Sequence, residues 1–314
     1  MQRIIIVRPG ALGDTILTIP ALAALRSAQP SAELVVVGNA SALRLAGSLV
    51  DHIHSVDSSD LSWLFFPSGR PPDFVTGAFA DADLVVLWLR ASAEPTTAFR
   101  ALGARQVVSC APLEGNGHVA DRLARSIAHL APVTLPAIPS LIPDPLAVTE
   151  VRDLLGQTGL VGDAFAVIHP GSGGRRKCWP AERFGALADL IARDLGLALV
   201  FVVGPADEEA LTRASAASRA ARRLDQLSLP QLAALCSLAA VYVGNDSGPS
   251  HLAAAVGAPT LTLYGPTNPA EWGTRGRRVA HLYSHAACPD TCDTTTCLAS
   301  LEPATVFAEL RSLL

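Results

Sequence analysis

Residues 243–266 read VGNDSGPSHLAAAVGAPTLTLYGP, and this stretch decides the fold. The apolar run Leu238–Val243 stops at Gly244-Asn245-Asp246-Ser247-Gly248. Pro249 falls where a first helical turn belongs, a position at which its missing N–H costs little. Ser250–Val256 continues as a small-residue helix, and a second apolar run, Pro259–Tyr264, closes on Gly265-Pro266. Strand, tight polar loop, helix and strand in this order form a βαβ unit whose loop lies at the carboxyl end of a parallel strand. Ligands bind at that edge of open α/β sheets, and a helix start presents N–H groups to an anion. Asp246 offers a carboxylate to ribose-type hydroxyls, Ser247 a hydroxyl, and His251 a donor for a phosphate. The alternative is that Asp246 or Ser247 is only an N-cap and His251 a capped surface residue.

Working outward, the same alternation fills the chain. Strands are expected at Arg3–Arg8, Glu33–Gly38, His52–Val56, Leu84–Leu89 and Gln106–Ser109, with helices at Thr15–Ala28, Ser41–Ser48 and Ala120–Leu130. Asp60–Phe79 mixes Trp63, Phe65 and Phe66 with Pro67, Pro71 and Pro72, and reads as a mobile or surface flap. Pro132–Pro145 carries five prolines and reads as the linker, because neither a helix interior nor a central strand tolerates them. The pattern then restarts: helix Thr149–Gln157, strand Phe165–His169, loop Pro170–Pro180, helix Ala181–Leu195, strand Ala198–Gly204, helices at Asp207–Ala221 and Pro230–Leu238, and a final helix, Pro303–Leu314. The expectation is α/β: two Rossmann-like domains, 1–140 and 141–314, facing each other across a cleft, with the last helix a candidate to pack back on the first domain.

Bulk properties narrow the function. A length of 314 residues fits two domains. A net charge of -4 and the lack of a basic block argue against nucleic acid. No apolar run reaches the ~20 residues of a membrane span, and the strand-like start leaves no room for a signal peptide. A cytoplasmic protein is expected, with contact to a membrane surface, if any, made through its substrate. Among 24 Lys plus Arg there is a single lysine, Lys177. It lies in the glycine-rich stretch HPGSGGRRKCWP, residues 169–180, where Ser172, backbone amides and three cations suit a diphosphate leaving group. The other glycine-bearing loop, Pro9-Gly10-Ala11-Leu12-Gly13-Asp14, lacks GxGxxG, which excludes the dinucleotide reading. There Gly10 and Gly13 shape an acceptor-side loop, and Asp14 either caps the following helix or accepts a proton from an acceptor hydroxyl.

With these residues in place, the chain resembles glycosyltransferase family 9, the heptosyltransferase-like family of lipopolysaccharide assembly. The resemblance runs through RIIIVRPGALGDTILTIPALAALR, VIHPGSGGRRKCWPAERFGALADLI, VVGPADEE and GNDSGPSHLAAAVGAPTLTLYGPTNPAEWG. It implies a GT-B fold and metal-independent, inverting transfer of a sugar, expected to be heptose, from an ADP-sugar to a lipopolysaccharide-core or other glycan acceptor. Asp14 then matches the general base and Lys177 the lysine at the donor phosphates. Asp246 matches the ribose carboxylate, and Ser247, Gly248 and His251 match positions at the diphosphate. No cofactor beyond the nucleotide-sugar co-substrate is implied, and the oligomeric state is left open. A transferase using a different nucleotide sugar, or a non-catalytic nucleotide-sugar binder, are the alternatives.

Two features sit outside the pattern. Asp81-Ala82-Asp83 has the spacing of a metal-binding DxD, but precedes its strand rather than following one, and is rejected. Cys288, Cys292 and Cys297, with His281 and His285 upstream, lack the paired CxxC of structural zinc, so reduced thiols are the favoured reading. The segment Asp60–Phe79 has only Arg70 where a phosphorylated lipid acceptor would call for a basic cluster.

Overall fold

Arg3–Arg8 (β1) is apolar between its two arginines, and Ile4 to Val7 are each 1% exposed or less. Such a strand needs cover on both faces, which is the condition for a parallel sheet. The computed structural model describes residues 1–89, 93–112, 114–160, 162–203, 221–284 and 298–314. The described chain divides into two units, Met1–Ile138 and Pro139–Leu314.

In the first unit β1 is followed by α1 (Leu12–Ala28), β2 (Glu33–Gly38), α2 (Ala40–Leu43), β3 (His52–Ser55), α3 (Ser62–Phe65), α4 (Asp73–Phe79), β4 (Leu84–Leu87), α5 (Ala93–Ala101), β5 (Gln106–Ser109) and α6 (Val119–Ser126). The strands form one parallel sheet in the order β3-β2-β1-β4-β5. The order reverses between β1 and β4, so the loop after β1 opens at a topological switch point. Asp83 receives the Gln2 and Arg3 backbone N–H groups. It fastens the start of β1, which accounts for this aspartate without a metal role.

The flap expected at Asp60–Phe79 is corrected by the structure. Leu61, Trp63, Leu64, Val75 and Phe79 belong to the first unit's core, packed with Val35, Val85 and Phe99. The His54 ring lies edge-on to Phe74 and Phe79 at 5.7 and 5.0 Å, and Trp63 donates Nε1–H to the Ser68 carbonyl at 3.1 Å. The prolines cluster in the bend between α3 and α4, leaving the aromatic positions on either side free to pack inward.

The second unit contains α7 (Pro145–Gln157), β6 (Phe165–His169), α8 (Ala181–Leu195), β7 (Ala198–Val203), β8 (Ala221–Asp225), α9 (Leu229–Leu238), β9 (Val241–Asn245), α10 (Gly248–Ala255), β10 (Thr260–Tyr264), α11 (Pro269–Trp272), β11 (Val279–Tyr283) and α12 (Pro303–Ser312). The last proline of the expected linker in fact opens α7: Pro145 takes the first turn and the Asp144 carboxylate accepts the Leu146 N–H. All strands are parallel, in the order β11-β10-β9-β6-β7-β8. This repeats the first unit's winding, with the switch point between β6 and β9. Two strands went unread in the sequence: β8, of which only the first residue, Ala221, fell in an expected element, the end of a helix, and β11. The rest of that expected helix, like His285 and the three late cysteines, lies outside the described residues. The final helix α12 buries Val306, Phe307 and Leu310 in the second unit's own core, beside Phe184 and Ile191 of α8.

Phe79 is fully buried and meets both His54 and Phe99 edge to face. Phe79→Ala is expected to destabilise the first unit by about 3–5 kcal/mol, the usual cost of emptying a phenylalanine site. Urea unfolding measures this, and a loss below ~1 kcal/mol would show that α4 is not anchored.

Candidate functional site

The second switch point brings together two loops that are far apart in sequence. β6 delivers the stretch from Pro170 to Pro180, and the neighbouring β9 delivers Asp246 and Ser247 into the start of α10. Lys177 Nζ donates to Asp246 Oδ2 at 2.7 Å, and Ser172 Oγ donates to the Asp246 carbonyl at 2.8 Å. The Asp246 side chain is 6% exposed and the Lys177 side chain 39%. A carboxylate so nearly buried needs a charged partner. An ammonium has three N–H donors, so the pairing with Asp246 leaves Lys177 with donor capacity for an anion on its exposed side.

The loop's two central glycines are not held in place by packing. A Cβ built on Gly173 or Gly174 would meet nothing within 4 Å, so packing does not require glycine there. Gly244 differs: a Cβ would come within 2.8 Å of the Tyr242 hydroxyl and 3.0 Å of the His169 carbonyl, so a side chain there would have to push the Tyr242 ring tip and the neighbouring strand aside. Ser247 is the N-cap of α10, yet its side chain makes no capping bond; its Oγ lies 3.4 Å from Ser250 Oγ. Gly248 opens the helix and is half-buried, as is Ser247, whereas His251 is 5% exposed and donates its backbone N–H to the Ser247 carbonyl. The sequence-selected residues Ser172, Lys177, Asp246, Ser247 and Gly248 thus share one sheet edge, with His251 buried in the first turn of α10.

Beneath them lies a polar floor that sequence reasoning missed. The Tyr264 hydroxyl accepts the Thr274 N–H at 2.8 Å, and Thr274 Oγ1 lies 3.2 Å from Thr262 Oγ1 and 3.1 Å from His281 Nε2. Burial, reinforced by the Asp246 charge, pushes the Tyr264 phenol up, which keeps it protonated. His169 at the end of β6 is buried, and that burial lowers its pKa to about 4, partly opposed by a hydrogen bond to the Gly171 backbone.

In the first unit, Asp14 stands at the switch-point edge. Its Oδ2 accepts the Ala11 N–H at 3.0 Å and its Oδ1 accepts Arg8 Nη2 at 2.7 Å. The structure therefore shows the capping contact and leaves the side chain 27% exposed. Gly10 is required: at φ +152 its Cβ would lie 2.5 Å from Asp14 Cβ. Gly13 is half-buried in the first turn of α1. Arg8 was overlooked as a site residue. The signal was there, an arginine closing an otherwise apolar buried strand; desolvation lowers its pKa while the Asp14 charge opposes the shift.

Among the described residues, no group of three or more His, Cys, Asp and Glu is placed to hold a metal ion, and no helix is long and apolar enough to cross a membrane.

His169 carries a stability consequence. Its folded pKa lies below the unfolded value of about 6.5, so the unfolded chain binds the extra proton. Stability of the second unit should therefore fall as pH drops from about 6.5 towards 4, by at most ~1.4 kcal/mol per pH unit from this group. Chemical denaturation across that range measures the slope. Replacement by a neutral residue, His169→Gln, should flatten it, and an unchanged slope would rule His169 out as its source.

The family model Glycosyltransferase family 9 (heptosyltransferase) matches residues 145–301, half of the chain. Lipopolysaccharide heptosyltransferase 3 of Escherichia coli is 29% identical over 168 residues, covering 51% of this chain and 48% of that protein. Lipopolysaccharide heptosyltransferase 1 of Pseudomonas aeruginosa is 36% identical over 128 residues, covering 40% and 36%. The chain thus spans about half or less of the length of these two relatives. Among solved structures, a family 9 glycosyl transferase from Veillonella parvula aligns over 99% of this chain and 97% of its own, with a TM-score of 0.84 and 21% identity. The E. coli heptosyltransferase WaaC with ADP aligns over 100% of both chains, with a TM-score of 0.71 and 20% identity. These likenesses establish a GT-B fold of two Rossmann-like domains. With half of its length matched by the family model, the chain belongs to glycosyltransferase family 9.

Proposed function

We propose that the protein is an inverting, metal-independent glycosyltransferase that moves a sugar, heptose, from an ADP-sugar to a lipopolysaccharide-core or related glycan acceptor. The observation that carries this reading is the arrangement of Lys177, Asp246 and Ser172 at the second switch point. Family membership, relatives named as lipopolysaccharide heptosyltransferases and a similar fold solved with ADP support it. The reaction belongs in the cytoplasm, at the inner membrane surface where a lipid-linked acceptor is met.

In this reading residues 141–314 hold the donor and residues 1–140 serve the acceptor. The diphosphate lies along Gly173 and Gly174, with Ser172, Ser247 and the Gly248 end of α10 contributing hydroxyl and N–H donors. Lys177 meets the negative charge that grows on the departing ADP, and electrostatic stabilisation of this kind replaces a metal ion. Asp246 binds the ribose hydroxyls, and its ion pair keeps the lysine aimed before substrate arrives. Asp14 removes the proton from the attacking acceptor hydroxyl, and Arg8 and the Ala11 N–H fix the direction of its carboxylate. A single displacement by that hydroxyl inverts the anomeric centre. His251, being buried, supports the start of α10 rather than reaching the phosphates directly.

Activity with ADP-heptose and a truncated lipopolysaccharide acceptor, with and without chelator, tests the whole reading; the product anomer is read by NMR. Asp14→Ala is expected to leave ADP affinity nearly intact while turnover drops by about 100-fold or more. Comparable turnover in that variant would remove Asp14 as the base. Lys177→Ala should lose about 100-fold in turnover and also weaken ADP binding. Selective binding of UDP or GDP over ADP would reassign the donor.

A further inference from the structure

Asn245, the last residue of β9, is fully buried, and every partner of its side chain lies on the loop that follows β6. Its Oδ1 accepts the Trp179 N–H at 2.9 Å. Its Nδ2 donates to the Pro170 carbonyl at 2.8 Å and more loosely to the Gly171 carbonyl at 3.4 Å. A backbone N–H on one side and carbonyls on the other allow only one orientation of the amide. Pro170 and Gly171 open the loop and Trp179 closes it, so one side chain clasps both ends. Asn245 is tied in turn to α10, since its own carbonyl accepts Ser250 Oγ at 2.6 Å. The next residue, Asp246, holds the middle of the same loop through Lys177 and Ser172.

We propose that Asn245 is a positioning residue for the donor diphosphate: it sets the shape of the loop from Pro170 to Trp179 so that Ser172 and Lys177 are presented to the diphosphate together. This rests on the donor-loop role assigned above. Asparagine is the side chain that fits, because it offers one acceptor and one two-proton donor on a short planar group. Aspartate would keep the acceptor for Trp179 but set lone pairs against the Pro170 and Gly171 carbonyls. Alanine would leave a buried N–H and two buried carbonyls without these partners. In either case the loop ends are released while Asp246 stays at the sheet edge. Lys177 then pairs with Asp246 from a loop of variable shape, and loses its fixed position relative to Ser172.

The test is a double-mutant cycle read by calorimetric titration with ADP. Asn245→Ala and Asn245→Asp should each weaken ADP about tenfold and lower turnover by about 10- to 100-fold, the scale expected when a reacting group is displaced by ~1 Å. The second substitution should add little in a Lys177→Ala background, because residues acting through one another are not additive. Losses that multiply in the double variant, with Lys177→Ala itself impaired, would overturn the role of Asn245 alone. Unchanged ADP affinity in Lys177→Ala would overturn the donor-loop reading beneath it. Hydrogen exchange on the wild-type protein decides the matter even if the variants fold poorly. The Trp179 amide should be protected without ADP to the level of β9, while Gly173 and Gly174 should exchange fast and gain protection only with ADP. A Trp179 amide exchanging as fast as Gly173 in the free protein would sink the proposal.

Discussion

The Asp246 carboxylate, placed at the end of a central strand with 6% of its side chain exposed, governs the second unit's working edge. A charge taken so far out of water must be matched by another, with its remaining lone pairs bonded. The match comes from Lys177, on a loop that follows the adjacent strand. The ion pair is therefore also a constraint on backbone: the loop after β6 must fold back across β9 for the two charges to meet. Asn245 supports that fold-back from below, and Gly244 allows the strands to lie close enough for it.

The first unit has the same winding and a different outcome. Its loop after β1 is short, and its carboxylate, Asp14, is in the first turn of the helix rather than at the strand end. The cation that meets it, Arg8, comes from the same βα connection. A local pair of this kind holds a carboxylate in a set direction at a helix start, where the dipole favours negative charge. The second unit's pair is long-range and builds a cradle. One architecture thus presents an acid held by a local arginine at one switch point and a long-range lysine–aspartate pair at the other, and the division follows from loop length and from which strand supplies the cation.

Much of this was legible before any coordinates. The strands β1, β2, β5 and β6 and helix α8 were read within a residue or so, because both-face burial produces unbroken apolar runs and a helix produces its own period. A lone lysine among arginines, and an aspartate and serine before a proline-started helix, are local signals too, and the structure places these residues at one sheet edge. The aromatic segment around Trp63 and Phe79 was misread, since prolines dominate local pattern while burial depends on what lies opposite. β11 was missed because it is an edge strand, half-buried throughout, with His281 at its centre. Arg8 and Asn245 were on the page as letters, yet their partners are a helix turn in one case and a loop more than sixty positions away in the other.

The amino-acid sequence by itself determined the class of the fold, the two-fold repetition of the winding and the identity of the polar residues at each loop. These depend on hydrophobic periodicity and on the preferences of glycine, proline and capping residues, which act over a few positions of chain. Tertiary structure alone decided that Lys177 lies against Asp246, that the Asn245 amide closes the intervening loop, and that His251 is buried. Those facts depend on strand order, which puts β6 beside β9, and on the high cost of leaving a buried charge or amide unmatched. Neither the neighbour nor the cost is written in the residues on either side.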